Sequence, residues 1–153
     1  MPSVYAGRYL QIDLSTGGVT VQSIDDADVR RFLLGSGYAA KLFHDTLNPE
    51  LAWDEPASPL LIFNGLFSCA FAPTGCRSAW CARSPLTGIW GESNMGGHWG
   101  AELRFTGYDG LVITGRAERP VYLWIDGTGV ELRDACHLWG HNHYHVFDQV
   151  RAE

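Results

Sequence analysis

Residues Leu60, Leu61, Ile62 and Phe63 form a continuous apolar run, preceded by Pro56 and Pro59 and followed by a glycine-rich stretch that begins at Asn64. Successive side chains of a strand point to opposite faces, so four apolar residues in a row need cover on both sides. The run therefore predicts a buried strand, with other elements packed above and below it.

The residues before it supply candidate cover. Residues 9–14 alternate apolar and polar side chains, Gly17-Gly18 supplies a turn, and residues 19–21 return, which predicts a hairpin. A helix follows, with Asp25 or Asp26 as its cap, Val29, Phe32 and Leu33 on one face, and Gly35 as its stop. A second helix is expected over residues 38–47, with Leu42 and Phe43 inward and Asn48-Pro49 ending it.

Glycine, proline and tryptophan concentrate between residues 64 and 107. Short strands are expected at 79–83 and 89–92, a helix at 97–106 and a strand at 110–114. A second hairpin pattern follows, because Tyr122-Leu123-Trp124-Ile125-Asp126 echoes Tyr9-Leu10-Gln11-Ile12-Asp13. Each pattern returns through a strand (19–21; 130–132) and leads into helical periodicity, the second over residues 143–152. The reading is an α+β fold with mixed or antiparallel sheets and helices, forming one domain over residues 1–153. An incomplete internal duplication and two unrelated hairpins both account for the echo.

Net charge is -6, with only 11 Lys and Arg, which argues against a phosphate-tracking nucleic-acid binder. No run of eighteen apolar residues is present and the start MPSVYAGRYL lacks signal-peptide character, so a cytoplasmic protein away from the membrane is expected. Cys69, Cys76, Cys81 and Cys136 are then expected to be reduced thiols.

Two segments carry the densest chemical signal: residues 72–77 and residues 93–103. Their small residues let the backbone approach a ligand closely. The second segment enters a predicted helix, whose first amides attract an anion. Arg77 offers planar paired donors to a phosphate or a heterocycle edge. The plainer reading is that Gly96-Gly97 is a turn and Arg77 a surface charge.

The cysteine spacings match neither a zinc pair nor a cluster motif, and the apolar neighbours Phe67, Phe71 and Trp80 suggest inert thiols. His141, His143 and His145 would share a face on a strand, but their surroundings read as a loop entering a helix. No nucleophile arrangement is visible: Ser84 precedes a proline, Ser93 lacks patterned partners, and Glu102 and Asp109 read as solvent-facing. No catalytic residue is assigned.

Taken in order, Ala72-Pro73-Thr74-Gly75, Arg77, Ser84-Pro85-Leu86-Thr87-Gly88, Ser93-Asn94, Gly96-Gly97, Gly100-Ala101-Glu102-Leu103 and Gly107-Tyr108-Asp109 are similar to the amino-terminal domain of the aldehyde ferredoxin oxidoreductases. Gly7-Arg8 with Asp13–Gly17 resembles that domain's opening hairpin. Residues 115–122 and 133–140 resemble its closing one. The resemblance implies an internally duplicated α+β base on which a tungsten- or molybdenum-bis-pterin cofactor lies. It implies that Arg77 touches the pterin and lies between it and a 4Fe-4S cluster. It implies that the backbone carbonyl of Asn94 helps bind the magnesium bridging the two pterin phosphates, and that Met95, Gly96 and Gly97 pack against pterin and phosphate.

This sequence departs from the family at residues 66–70, and at Cys76, where glycine is usual. The family continues into a helical region with the cluster cysteines and the acid/base residues. The resemblance thus implies a part of an enzyme that oxidises aldehydes to acids and passes electrons to a ferredoxin-type acceptor. The missing region or a partner subunit would hold the cluster, and this chain alone would be inactive. The alternative is a non-catalytic remnant that self-associates through an open face bearing Trp90 and Trp99, as a homo-oligomer. A third reading is a small metal-binding protein built on the histidine run.

Overall fold

The computed structural model describes residues 4–46, 48–70 and 72–153. In chain order the elements are β1 (Arg8–Asp13), β2 (Gly18–Ser23), α1 (Asp26–Phe32), α2 (Ser36–Thr46), β3 (Leu60–Asn64), β4 (Ser78–Arg83), β5 (Trp90–Met95), α3 (Trp99–Phe105), β6 (Gly110–Thr114), β7 (Val121–Ile125), β8 (Val130–Asp134) and α4 (His143–Ala152). The reading of Met1–Ser3 as free of a leader, the expected helix end at Leu47, and Phe71 all lie outside the described residues.

The apolar run forms β3, an inner strand of a six-stranded sheet ordered β2-β1-β6-β3-β4-β5. β1 and β6 pair in parallel and the other neighbours are antiparallel, so the sheet is mixed. Leu61 and Phe63 face α1 and α2, in a cluster with Val29, Leu34, Tyr38 and Val112. Ile62 faces the other way, with Leu10, Ile12, Leu111 and Leu103 of α3, beneath the two-stranded β7–β8 sheet. Both faces of β3 are covered, as the run requires. Phe63 stands edge-on to Tyr9 and Tyr38 at 5.5 and 5.1 Å between ring centroids. Its ring leaves no space at Gly110, where an added Cβ would lie 2.2 Å from Phe63 Cδ1.

Three local expectations are corrected. Helix α1 stops at Phe32, and Leu33 leaves the helix with φ 61° and 56% exposure, while Leu34, 5% exposed, takes the inward place. Gly35 then opens α2 rather than closing α1, its carbonyl accepting from Ala39 N at 3.1 Å. Strand β5 runs on to Met95, and α3 begins only at Trp99, so the turn between them is Gly96-Gly97-His98.

The two hairpins share their turn chemistry. Asp13 accepts from the Ser15 amide at 2.9 Å and Asp126 from the Thr128 amide at 2.7 Å, each also binding a threonine hydroxyl. These bonds hold the Asp126 carboxyl down at about 2 and lower Asp13 in the same direction. A helix follows each hairpin, capped by Asp25 before α1 and by Asn142 before α4. Among the described residues no helix is long and apolar enough to cross a membrane.

The largest correction is Asp109, expected in solvent and found 0% exposed. Its carboxylate pairs with Arg104 at 3.0 Å and accepts from the Gly7 amide at 2.7 Å. Its backbone joins Arg8 O and Asn64 N, each at 2.8 Å. Arg104 also donates to the carbonyls of Val4, Gly65, Leu66 and Ser68. A buried ion pair persists when its remaining donors and acceptors are filled in this way. Asp109→Asn strands the Arg104 charge and should cost about 3–5 kcal/mol, read as a lowered urea midpoint. A loss below 1 kcal/mol would mean that the pair is not the clasp described.

Candidate functional site

The residues between β3 and β4 form a loop tied at its base. Gly65 N donates to Arg77 O at 2.7 Å, extending the β3–β4 ladder by one pair, and the buried Ser68 donates its hydroxyl to the same carbonyl at 3.2 Å. Arg77 is thereby fixed at its backbone while its side chain stays exposed. Among the described residues no hydrogen bond or ion pair holds that guanidinium. It lies against Gly96: an added Cβ there would meet Arg77 Nε, Cζ and Nη1 at 3.8–3.9 Å. Gly97, with φ +80°, has nothing within 4 Å of its own Cβ position. The structure therefore brings Arg77 together with the Gly96-Gly97 turn, in open space.

Asn94 and Met95, expected on a loop, are the last residues of β5, the free edge of the sheet. The register fixes where their backbones point. Ser84 N donates to Ile89 O at 2.7 Å just beyond the ladder, so Ala82–Gly91, Trp80–Ser93 and Ser78–Met95 are the hydrogen-bonded pairs. Asn94, opposite Ala79, falls between them, and its amide and carbonyl are directed at the open edge. Its exposed side chain donates to Glu92 Oε1 at 3.2 Å. Met95 turns its carbonyl inward, to the Ser78 hydroxyl at 3.3 Å.

Helix α3 has seven residues, and His98 before it offers no side-chain cap to its first amides. Asn64 anchors this end, its Nδ2 donating to Gly100 O at 2.8 Å. Gly100 is required there, because an added Cβ would sit 2.5 Å from Asn64 Oδ1. Neither Asn64 nor the Arg104–Asp109 pair stood out in the sequence. The only signal was a pair of opposite charges five residues apart, across the end of α3.

Trp90 and Trp99 are not an open patch. Trp90 is half-buried, edge-on to Phe43 at 5.1 Å, and Trp99 lies on Trp80 at 5.3 Å. Exposed aromatics lie elsewhere, among them Phe67 (62%) and Phe105 (73%). These two border a cavity of about 370 Å³ that Cys69 and Cys76 also line. Cys76, at the usual glycine position, turns its sulfur toward α3, 3.8 Å from the Cβ position of Gly100. Burial pushes the Cys69 thiol up, and its Sγ lies 3.8 Å from Ala101 O. Cys81 is fully buried and pushed up to about 12 by desolvation. The histidine run does not make a metal cluster: among the described residues no group of three or more His, Cys, Asp or Glu comes together as one. Glu102 is exposed, as expected.

A family model described as "Aldehyde ferredoxin oxidoreductase, N-terminal domain" matches residues 9–153. The chain belongs to the aldehyde ferredoxin oxidoreductase family. Two tungsten-containing aldehyde ferredoxin oxidoreductases, from Pyrococcus furiosus and Thermococcus kodakarensis, are each 40% identical to it over 134 residues. Each alignment covers 88% of this chain and 22% of the relative, so the chain spans less than a quarter of those proteins' length. A solved structure titled "Active site complex BamBC of Benzoyl Coenzyme A reductase in complex with 1,5 Dienoyl-CoA" superposes with a TM-score of 0.96 at 32% identity. That match covers 99% of this chain and 23% of the other. The aldehyde ferredoxin oxidoreductase N-terminal domain is thus present in its α+β form, in a family of oxidoreductases.

The thiols of this domain should differ in reactivity. At pH 8 a thiol with a pKa of about 12 is ionised in only about one molecule in ten thousand. Timed alkylation with mass spectrometry should modify the exposed Cys136 in the folded chain and reach Cys81 only after unfolding. Early modification of Cys81 would contradict its burial.

Proposed function

We propose that this domain is the base on which a tungsten- or molybdenum-bis-pterin cofactor rests in a cytoplasmic aldehyde-oxidising enzyme. One observation carries the reading: a guanidinium with no hydrogen-bond or ion-pair partner among the described residues lies over a glycine turn, beside a backbone carbonyl aimed off the sheet edge. Those are the donors and acceptor that a pterin with phosphate arms requires. The residues present fit the group. Arg77 would donate its N–H groups to the pterin edge and carry a fixed positive charge between the pterin and a 4Fe-4S cluster held elsewhere. The Asn94 carbonyl would bind a magnesium ion bridging the pterin phosphates, an oxygen ligand suited to that hard cation. Met95, Gly96 and Gly97 would form the surface on which pterin and phosphate lie, the open Gly97 letting them approach. Cys76, beside Arg77, turns its sulfur toward α3.

When bound, the metal–pterin group supplies the two-electron chemistry that turns an aldehyde into an acid. This chain's residues hold and orient it, and the remaining polypeptide or a partner subunit supplies the cluster, the acid/base groups and the route to a ferredoxin. The relatives' tungsten supports this reading. The test uses Arg77→Ala and Asn94→Ala in a full-length polypeptide carrying this domain, with tungsten, molybdenum and pterin quantified after purification. Losing charge-assisted hydrogen bonds worth ~1.5–3 kcal/mol should reduce cofactor retention about tenfold or more in Arg77→Ala. Asn94→Ala keeps its backbone carbonyl and should retain the cofactor. The 153-residue chain alone should show no aldehyde-dependent dye reduction. Equal metal content in Arg77→Ala and wild type would sink the proposal.

A second reading is a non-catalytic, self-associating module, favoured by the exposure of Phe67 and Phe105 at one cavity mouth. Light scattering on the isolated chain separates the two: a dimer lost in Phe105→Ser supports self-association, and a strict monomer ends it.

A further inference from the structure

Four of the chain's six histidines fall between residues 137 and 145. The structure sorts them. His137 is engaged, its Nε2 3.2 Å from Glu153 Oε1. His143, the first residue of α4, lies on the Tyr144 ring at 3.9 Å between centroids. His141 and His145 meet each other instead, with centroids 4.2 Å apart and ring planes inclined by 33°. Among the described residues neither ring makes a side-chain hydrogen bond, and both are exposed.

The backbone explains the meeting. Asn142 caps α4 from an extended conformation, φ -73° and ψ 163°, and its side chain accepts from His145 N at 3.0 Å. The cap turns the chain, which carries His141 back over the first helical turn and onto the residue four positions later. The cap thus sets the two imidazoles side by side, which lowers the cost of bringing two ligands to one ion.

We infer that His141 and His145 form a two-nitrogen site for a divalent transition-metal ion of the zinc, nickel or copper class. Neutral imidazole is the side-chain ligand those ions share. At metal–nitrogen distances of about 2.0–2.1 Å, tetrahedral ligand atoms lie roughly 3.3 Å apart. Rings with centroids 4.2 Å apart are near enough for one nitrogen of each to take that spacing after side-chain adjustment. With no third His, Cys, Asp or Glu joining the group among the described residues, water would complete the coordination. The site uses neither Arg77 nor Asn94, and it binds independently of any pterin.

Calorimetric titration of the 153-residue chain with nickel chloride, and separately with zinc chloride, tests the assignment. One ion per chain is expected. His141→Ala and His145→Ala should each weaken binding by about tenfold or more, because removing either ring turns a chelate into a single contact. The double variant loses the remaining contact and should bind more weakly than either single. His143→Ala and His137→Ala should bind within about twofold of wild type, which a run of adventitious surface histidines would not do. His141→Gln and His145→Gln, which preserve a polar side chain at exposed positions, guard against loss through misfolding. Equal weakening by His143→Ala, or wild-type affinity in His141→Ala, would overturn the site.

Discussion

The buried pairing of Arg104 with Asp109 is the contact on which the candidate site depends. Two desolvated charges gain stability only when their remaining hydrogen-bonding capacity is filled. Here the backbone carbonyls of Val4, Gly65, Leu66 and Ser68, and the amide of Gly7, fill it. The pair thereby reinforces the point where the β1–β6 and β3–β6 ladders end. Asp109 also takes the backbone of Asn64 through its carbonyl, which sets the end of β3. From there Asn64 holds Gly100 of α3, and Gly65 holds Arg77. The backbone of Arg77 is thus linked to the ion pair through Gly65, whose carbonyl accepts from Arg104.

The other half of the site comes from the sheet's edge. An unpaired strand edge is a liability in most folds, because its amides and carbonyls recruit other strands. In β5 the last four residues combine that edge with a hydrogen-bonding phase that leaves Asn94 facing out. The glycine turn beyond it brings the chain back over Arg77. A sheet edge, a glycine turn and an arginine without a side-chain partner among the described residues thus converge. The seven-residue α3 is anchored beside the site by the bond from Asn64 to Gly100 O.

Much of this was legible from side-chain periodicity. The run at Leu60–Phe63 announced a strand covered on both faces, both hairpins had clear turn residues, and α4 fell on the residues its period suggested. Arg77, Asn94 and Gly96-Gly97 could be singled out by residue type and order. Their adjacency could not, because it arises from strand register across residues far apart in sequence. Leu33 was misplaced because its apolar character fits the phase of α1, whereas the helix ends one residue earlier. Asp109 was misplaced because an aspartate near a helix end usually meets solvent, and its arginine partner gave no local sign of being buried. Trp90 and Trp99 looked like an open patch only because their partners, Phe43 and Trp80, lie on other elements.

The account's central claim is that a pterin cofactor lies on the surface formed by Arg77 and residues 94–97. Amide hydrogen–deuterium exchange on cofactor-loaded and cofactor-free forms of a full-length polypeptide carrying this domain tests it most directly. The account predicts protection within this domain at the amide of Asn94 and across the Gly96-Gly97-His98 turn, with β1, β2 and α4 unchanged. Protection elsewhere in the domain, with that edge and turn unaffected, would contradict it.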